Sequence, residues 1–153
     1  MDVLVAYESR RGWARRAADA VADAAASHGV ATLIRRIDQI SPDHLAAADA
    51  LVAGCWTPGK VPFGDRPTRR MTAWIERLPP LDGKPVGLFC TYRFFPHTFA
   101  DTTTRAAETL HELSSRFEMK GATVAATRSI HFKAIEESAT DLIDRVLAQT
   151  PSG

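Results

Sequence analysis

Three segments gather side chains that could hold a ligand. The first is Ser9-Arg10-Arg11-Gly12-Trp13-Ala14, which lies between the apolar run Val3 to Tyr7 and an alanine-rich stretch. A hydroxyl, two guanidinium groups and a glycine just before a helix are the ingredients of an anion site. The helix presents its first N–H groups there, and its dipole adds positive charge. Arg10 and Arg11 are candidates for charge-assisted bonds to a phosphate, or equally for solvated residues at a loop tip. The second segment, Gly54-Cys55-Trp56-Thr57-Pro58-Gly59-Lys60, offers a flat aromatic side chain, a hydroxyl and a glycine peptide in one turn. The third, Thr91-Tyr92-Arg93-Phe94-Phe95-Pro96-His97, is an aromatic loop. Its rings suit either stacking on a planar ligand or a protein interface.

Other chemistry-bearing residues are scattered. Cys55 and Cys90 fall near the ends of strands expected to be neighbours, so a redox pair is conceivable. The commoner role of a free cysteine is that of a small buried hydrophobe. Two cysteines make no disulfide framework and lack metal spacing. None of the five histidines has ligand spacing with another metal-binding side chain, and only His97 falls at the expected ligand end, as a weak candidate for proton delivery. Arg66, Arg69 and Arg70 gather before a helix, with Arg35 and Arg36 elsewhere. Such a run is usually a solvated face, and docking of an acidic redox partner is the minority reading. No Ser-His-Asp order or paired carboxylates stand out.

These residues need elements to position them. With 153 residues, 45% hydrophobic and 24% charged, the chain has the balance of one globular domain rather than of a disordered segment. Val3 to Tyr7, Val30 to Ile37, Ala50 to Cys55, Pro85 to Thr91 and Ala122 to Ile130 read as strands. Their near-continuous apolar character suits a sheet buried on both faces. Gly12 to His28, a short helix after Ser41-Pro42-Asp43, Pro67 to Leu78, Thr98 to Lys120 and Ile135 to Ala148 read as helices. Residues 1–149 therefore form one domain, and 150–153 a disordered tail. Alternating strands and helices imply a parallel sheet covered on both sides, with ligands beyond the carboxyl ends of the strands. The loops after strands one, three and four are where the three segments lie.

Composition narrows the partners. A formal charge of +1 gives no global field to recruit nucleic acid or an anionic membrane. No apolar run approaches the length of a membrane span, and no signal-peptide pattern opens the chain, so a cytoplasmic location is expected.

Within this architecture a dinucleotide site would need Gly-x-Gly-x-x-Gly after the first strand, where this chain has Tyr7-Glu8-Ser9-Arg10-Arg11-Gly12. A phosphorylation receiver would need clustered aspartates and a lysine ending the fifth strand, which are absent. The remaining pattern resembles the flavodoxin family over nearly the whole chain. That family's first loop reads Ser/Thr-x-Thr-Gly-Asn-Thr and wraps the phosphate of FMN. Ser9 and Gly12 match its first hydroxyl and its glycine, whereas Arg11, Trp13 and Ala14 replace the threonine, asparagine and last threonine.

The resemblance implies a flavodoxin-like three-layer α/β sandwich with a five-stranded parallel sheet in the order 2-1-3-4-5. It implies FMN held by Ser9, Arg10, Arg11, Gly12, Trp13 and Ala14 at the phosphate. Trp56, Thr57, Pro58 and Gly59 would lie on one side of the ring, and Tyr92, Arg93 and Phe94 on the other. The implied role is electron transfer or flavin-dependent reduction, as a monomer or homodimer, with a redox partner protein or an NAD(P)H-linked reductase. Lys60 beside a flavin would favour an anionic reduced form. The three substitutions in the first loop also keep open a domain that has lost FMN and acts as a binding or regulatory module, with Trp13 filling or narrowing the phosphate nest.

Overall fold

The structure is a computed structural model. Residues 1–57, 67–92 and 99–151 are described, with backbone alone over 99–105. Its elements alternate along the chain: β1 (Asp2–Tyr7), α1 (Trp13–Ser27), β2 (Ala31–Arg36), α2 (Pro42–Ala47), β3 (Ala50–Trp56), α3 (Arg69–Arg77), β4 (Pro85–Tyr92), α4 (Phe99–Met119), β5 (Thr123–His131) and α5 (Ile135–Gln149). All strand pairings are parallel, and the sheet order is β2-β1-β3-β4-β5.

The continuous apolar runs resolve into two faces because successive side chains of a strand point to opposite sides. Leu4, Ala6, Leu51, Ala53, Cys55, Leu88 and Cys90 share one core with Met71, Trp74 and Ile75 of α3 and Leu110, Leu113 and Phe117 of α4. Val3, Val5, Ala50, Val52 and Phe89 share the other with α1 and α5. The alanines of α1 have a packing role: Ala14, Ala17, Ala18 and Ala25 are fully buried, and such small side chains bring the helix axis close to the sheet. Gly54 of β3 serves the same core, because the ring of Phe89 occupies the space where a Cβ would stand.

Element boundaries match the sequence reading to within two residues, with two differences. The second strand stops at Arg36, and Ile37–Gln39 turns into a short 3-10 helix that buries Ile37 beneath the sheet edge. Thr150, expected in the tail, instead completes the end of α5. It is buried, its N–H donates to the Leu147 carbonyl, and its hydroxyl donates to the Val146 carbonyl. Among the described residues no helix is long and apolar enough to cross a membrane.

Candidate functional site

Parallel strands aim all their carboxyl ends at one edge of the sandwich, where the described loops after β1 and β5 and the last residues of β3 and β4 lie. At the first of them the chain enters α1 through Gly12, whose φ of 90° lies in the left-handed region that glycine adopts without strain. The Gly12 N–H donates to Ser9 Oγ at 3.0 Å, which closes the loop into a compact turn. Among the described residues no side chain caps the first turn of α1, and no acidic residue lies in it. The outward N–H groups at this helix start have no side-chain acceptor among the described residues, the condition under which a helix terminus accepts an anion.

The neighbouring Glu8 is held away from this turn. Its N–H donates to the Gly54 carbonyl at 2.9 Å, and its carboxylate accepts a hydrogen bond from the Thr68 hydroxyl. Thr68 Oγ in turn accepts from the Met71 N–H at 3.2 Å and so caps α3. One residue thus caps a helix and anchors the only carboxylate of the first loop. Arg10 and Arg11 are exposed, and the Arg10 guanidinium stands 5.7 Å from the centre of the Trp56 ring. Trp56 is half-buried, and its indole Nε1 is fully enclosed, with no hydrogen-bond partner among the described residues.

Trp13 turns sideways. Its ring packs on Phe132 of the β5–α5 loop at 5.6 Å between centroids, and the Arg16 guanidinium covers it at 5.3 Å. Phe132 lies 4.4 Å from His131, whose ring is 5.3 Å from Tyr92. A row of four aromatic rings therefore runs from the start of α1 across the end of β5 to the end of β4. Burial and then Lys133 push the His131 imidazole below its ordinary pKa. Burial, followed by the neighbouring Cys90, raises the Tyr92 phenol.

Cys55 and Cys90 occupy opposing register positions on β3 and β4, fully buried beneath the site, and both are free thiols. Burial, reinforced by Cys90 and Glu8, raises Cys55 well above the ordinary thiol value, and burial raises Cys90 to about 12. Both remain protonated and unreactive at neutral pH. Thr57 serves this interior: its hydroxyl donates to Cys90 Sγ at 3.2 Å and its N–H to the Thr91 carbonyl at 2.9 Å.

Solved structures with this architecture cover nearly the whole chain. A Megasphaera elsdenii flavodoxin, determined in solution in its two-electron reduced form, superposes with a TM-score of 0.76 at 22% identity, covering 95% of this chain and 98% of that one. The fold is flavodoxin-like. An archaeal flavodoxin gives a TM-score of 0.71 at 17% identity over 96% of this chain and 99% of its own. Oxidised flavodoxin 2 from Bacillus cereus gives 0.69 at 17% identity over 97% and 99%. No protein-family model matches the sequence, and no curated protein does.

In the flavodoxin-like frame, Ser9, Arg10, Arg11, Gly12, Trp13 and Ala14 all lie at the start of α1 as the sequence implied, but in different roles. Ala14 is fully buried in the sheet-facing stripe, so only its backbone is available to a ligand. Trp13 is engaged by Phe132 and Arg16. Trp56 and Tyr92 lie at the same edge, while Thr57 spends its polar groups inward. Pro58, Gly59, Lys60, Arg66, Arg93, Phe94 and His97 lie outside the described residues. The sequence reading left out the loop after the fifth strand. Its signal was the run His131-Phe132-Lys133, an aromatic and basic cluster at a strand end, which meets α1 because α1 and α5 share one face of the sheet.

Proposed function

We propose that the chain binds FMN at the carboxyl edge of its sheet and works in electron transfer or flavin-dependent reduction. The observation that carries this reading is the start of α1. It is a helix terminus with no side-chain cap among the described residues, entered through left-handed Gly12 and braced by Ser9, at the end of β1 in a flavodoxin-like fold.

The residues fit the cofactor in a specific way. The backbone N–H groups of the first turn of α1, with Ser9 and the adjacent Arg10 and Arg11, would hold the phosphate. Trp56 would cover one face of the ring and Tyr92 would approach from the neighbouring strand end. Trp13, parked on Phe132, leaves the phosphate turn open. Bound FMN supplies the redox chemistry. The chain's own contribution is to orient it, to exclude water with Trp56 and to place Arg10 where it favours negative charge. Reduced and oxidised forms of two structural neighbours, the Megasphaera and Bacillus proteins, agree with redox work in this fold. A redox partner protein or NAD(P)H would supply the electrons, in a cytoplasmic setting.

Purification tests the reading. A yellow protein that releases FMN on denaturation is the expected result. A colourless protein that leaves the spectrum of added FMN unchanged would establish the alternative, a domain that binds other molecules through the same edge. If flavin is present, reduction by NAD(P)H alone identifies a reductase, and dependence on a second protein identifies a carrier.

A further inference from the structure

Arginines collect at the carboxyl edge in places where helix electrostatics disfavours them. Arg15 and Arg16 occupy the first turn of α1, and Arg69 and Arg70 open α3. Neither helix has an acidic residue in its first turn, where negative charge would stabilise the dipole. Arg10 and Arg11 add two more cations in the loop between them. All six are exposed. Of the six only Arg15 has a carboxylate partner in ion-pair range among the described residues, Asp19 at 3.9 Å. The nearby carboxylates are committed: Glu8 accepts from Thr68, and Asp38 is bound by Arg36. Because Thr68 of α3 bonds Glu8 of the first loop, the start of α3 and the arginines of that loop lie at the same edge of the sheet.

One phosphate at the start of α1 would occupy Arg10 and Arg11 at most. Among the described residues Arg16 and Arg69 have no carboxylate in ion-pair range, and Arg70 meets Asp38 only through a longer-range attraction, although the whole chain carries a formal charge of only +1. A local excess held against the helix dipoles of a nearly neutral molecule marks a surface shaped for a partner rather than for stability. The patch also carries half-buried aromatic rings topped by cations, with Arg10 over Trp56 and Arg16 over Trp13. Aromatic residues and arginine are the side chains that dominate protein interfaces. Interleaved Glu8 and Asp38, and Glu136 and Glu137 in the first turn of α5, interrupt the positive field, which suits a protein face of limited size better than a continuous phosphate backbone.

We infer that Arg16, Arg69 and Arg70, joined in the flavin-free chain by Arg10 and Arg11, form a docking surface for an acidic face of a partner protein. The inference stands on charge and exposure and does not require FMN, so its test reads binding and not electron transfer.

The probe is a fluorescent twenty-residue polyglutamate, with a twenty-nucleotide single-stranded DNA as comparison, each titrated with the purified full chain by anisotropy at 20 and 200 mM salt. Polyglutamate should bind at low salt, weaken at least tenfold at high salt, and bind more tightly than the DNA. Arg10→Gln/Arg11→Gln and Arg69→Gln/Arg70→Gln should each weaken it at least fivefold. Arg77→Gln/Arg145→Gln, at the opposite ends of α3 and α5, should leave it within twofold. The Arg69→Gln/Arg70→Gln protein should melt no lower than the parent, since the change relieves the dipole of α3, whereas arginines kept for structure would lower the melting temperature. Absence of polyglutamate binding at 20 mM salt, equal loss in the Arg77/Arg145 control, or tighter binding of DNA would each overturn the inference.

Discussion

Gly54→Ala is the substitution whose consequence follows most directly from the packing beneath the site. A Cβ at this position would stand 2.2 Å from Cε2 and Cζ of Phe89 and 2.4 Å from its Cδ2. Carbon atoms pack best at about 3.5–4.0 Å, so the ring would have to retreat by roughly 1.3 Å or more. It has nowhere to go, because Phe89 is fully buried in the core shared with α1 and α5. Overpacking of this kind costs about 1–3 kcal/mol, and the shortness of the contact puts this case near the upper figure. With a urea m-value of about 2 kcal/mol/M for a domain of this size, the unfolding midpoint should fall by about 1–1.5 M at constant slope. The sign itself is diagnostic. Gly→Ala at an unhindered site stabilises by about 0.4–1 kcal/mol through the unfolded chain. Phe89→Leu removes the clashing ring atoms, so the double variant should be more stable than the sum of the two single losses, with a coupling of about 1–2 kcal/mol. A Gly54→Ala protein as stable as the parent, or a strictly additive double variant, would refute the packing argument.

Other consequences follow from the same edge of the sheet. Thr68→Val removes both the cap of α3 and the partner of Glu8, and should cost about 1–2 kcal/mol in chemical denaturation, whereas Thr68→Ser should restore most of it. The buried thiols give a pH dependence. Their folded values lie above the unfolded one, so their contribution is complete below about pH 9 and is lost as pH rises from there toward 12. Urea midpoints should therefore drop more steeply over pH 9–10.5 in the parent than in Cys90→Ala, and a thiol reagent should label neither cysteine until the chain unfolds. Trp56→Ala removes the ring proposed to cover one face of the flavin, and should weaken FMN binding by about five- to tenfold, on the order of 1–1.4 kcal/mol.

The fold was legible because it is written in repeated, local signals. Five apolar runs, Gly29 and Gly121 after the first and fourth helices, and Pro79-Pro80 beyond the third placed the elements to within two residues. The ends of β1, β3 and β4 were placed at one edge of the sheet for the same reason. The roles of individual site residues were less legible, because they depend on contacts between elements distant in sequence. Trp13 in a phosphate loop reads as an obstruction until β5 and α5 bring Phe132 beside it. Thr57 reads as a ligand contact until β4 brings Cys90 within reach of its hydroxyl. Glu8 carried no signal at all, since its partner Thr68 is sixty residues away and caps a different helix. The end of α5 shows the same limit on a smaller scale: a terminal Thr-Pro-Ser-Gly looks frayed, but Thr150 finds two carbonyls of the preceding turn.

The central claim is that the start of α1 holds a phosphate, and a comparison of FMN with riboflavin tests it most directly. The two share the isoalloxazine ring and differ in the phosphate alone. Titrating the flavin-free protein and following quenching of flavin fluorescence should show one FMN bound per chain, with riboflavin at least a hundredfold weaker. Ser9→Ala with Gly12→Ala should narrow that gap by disturbing the turn. Equal affinity for both flavins, or no quenching by either, would contradict the account.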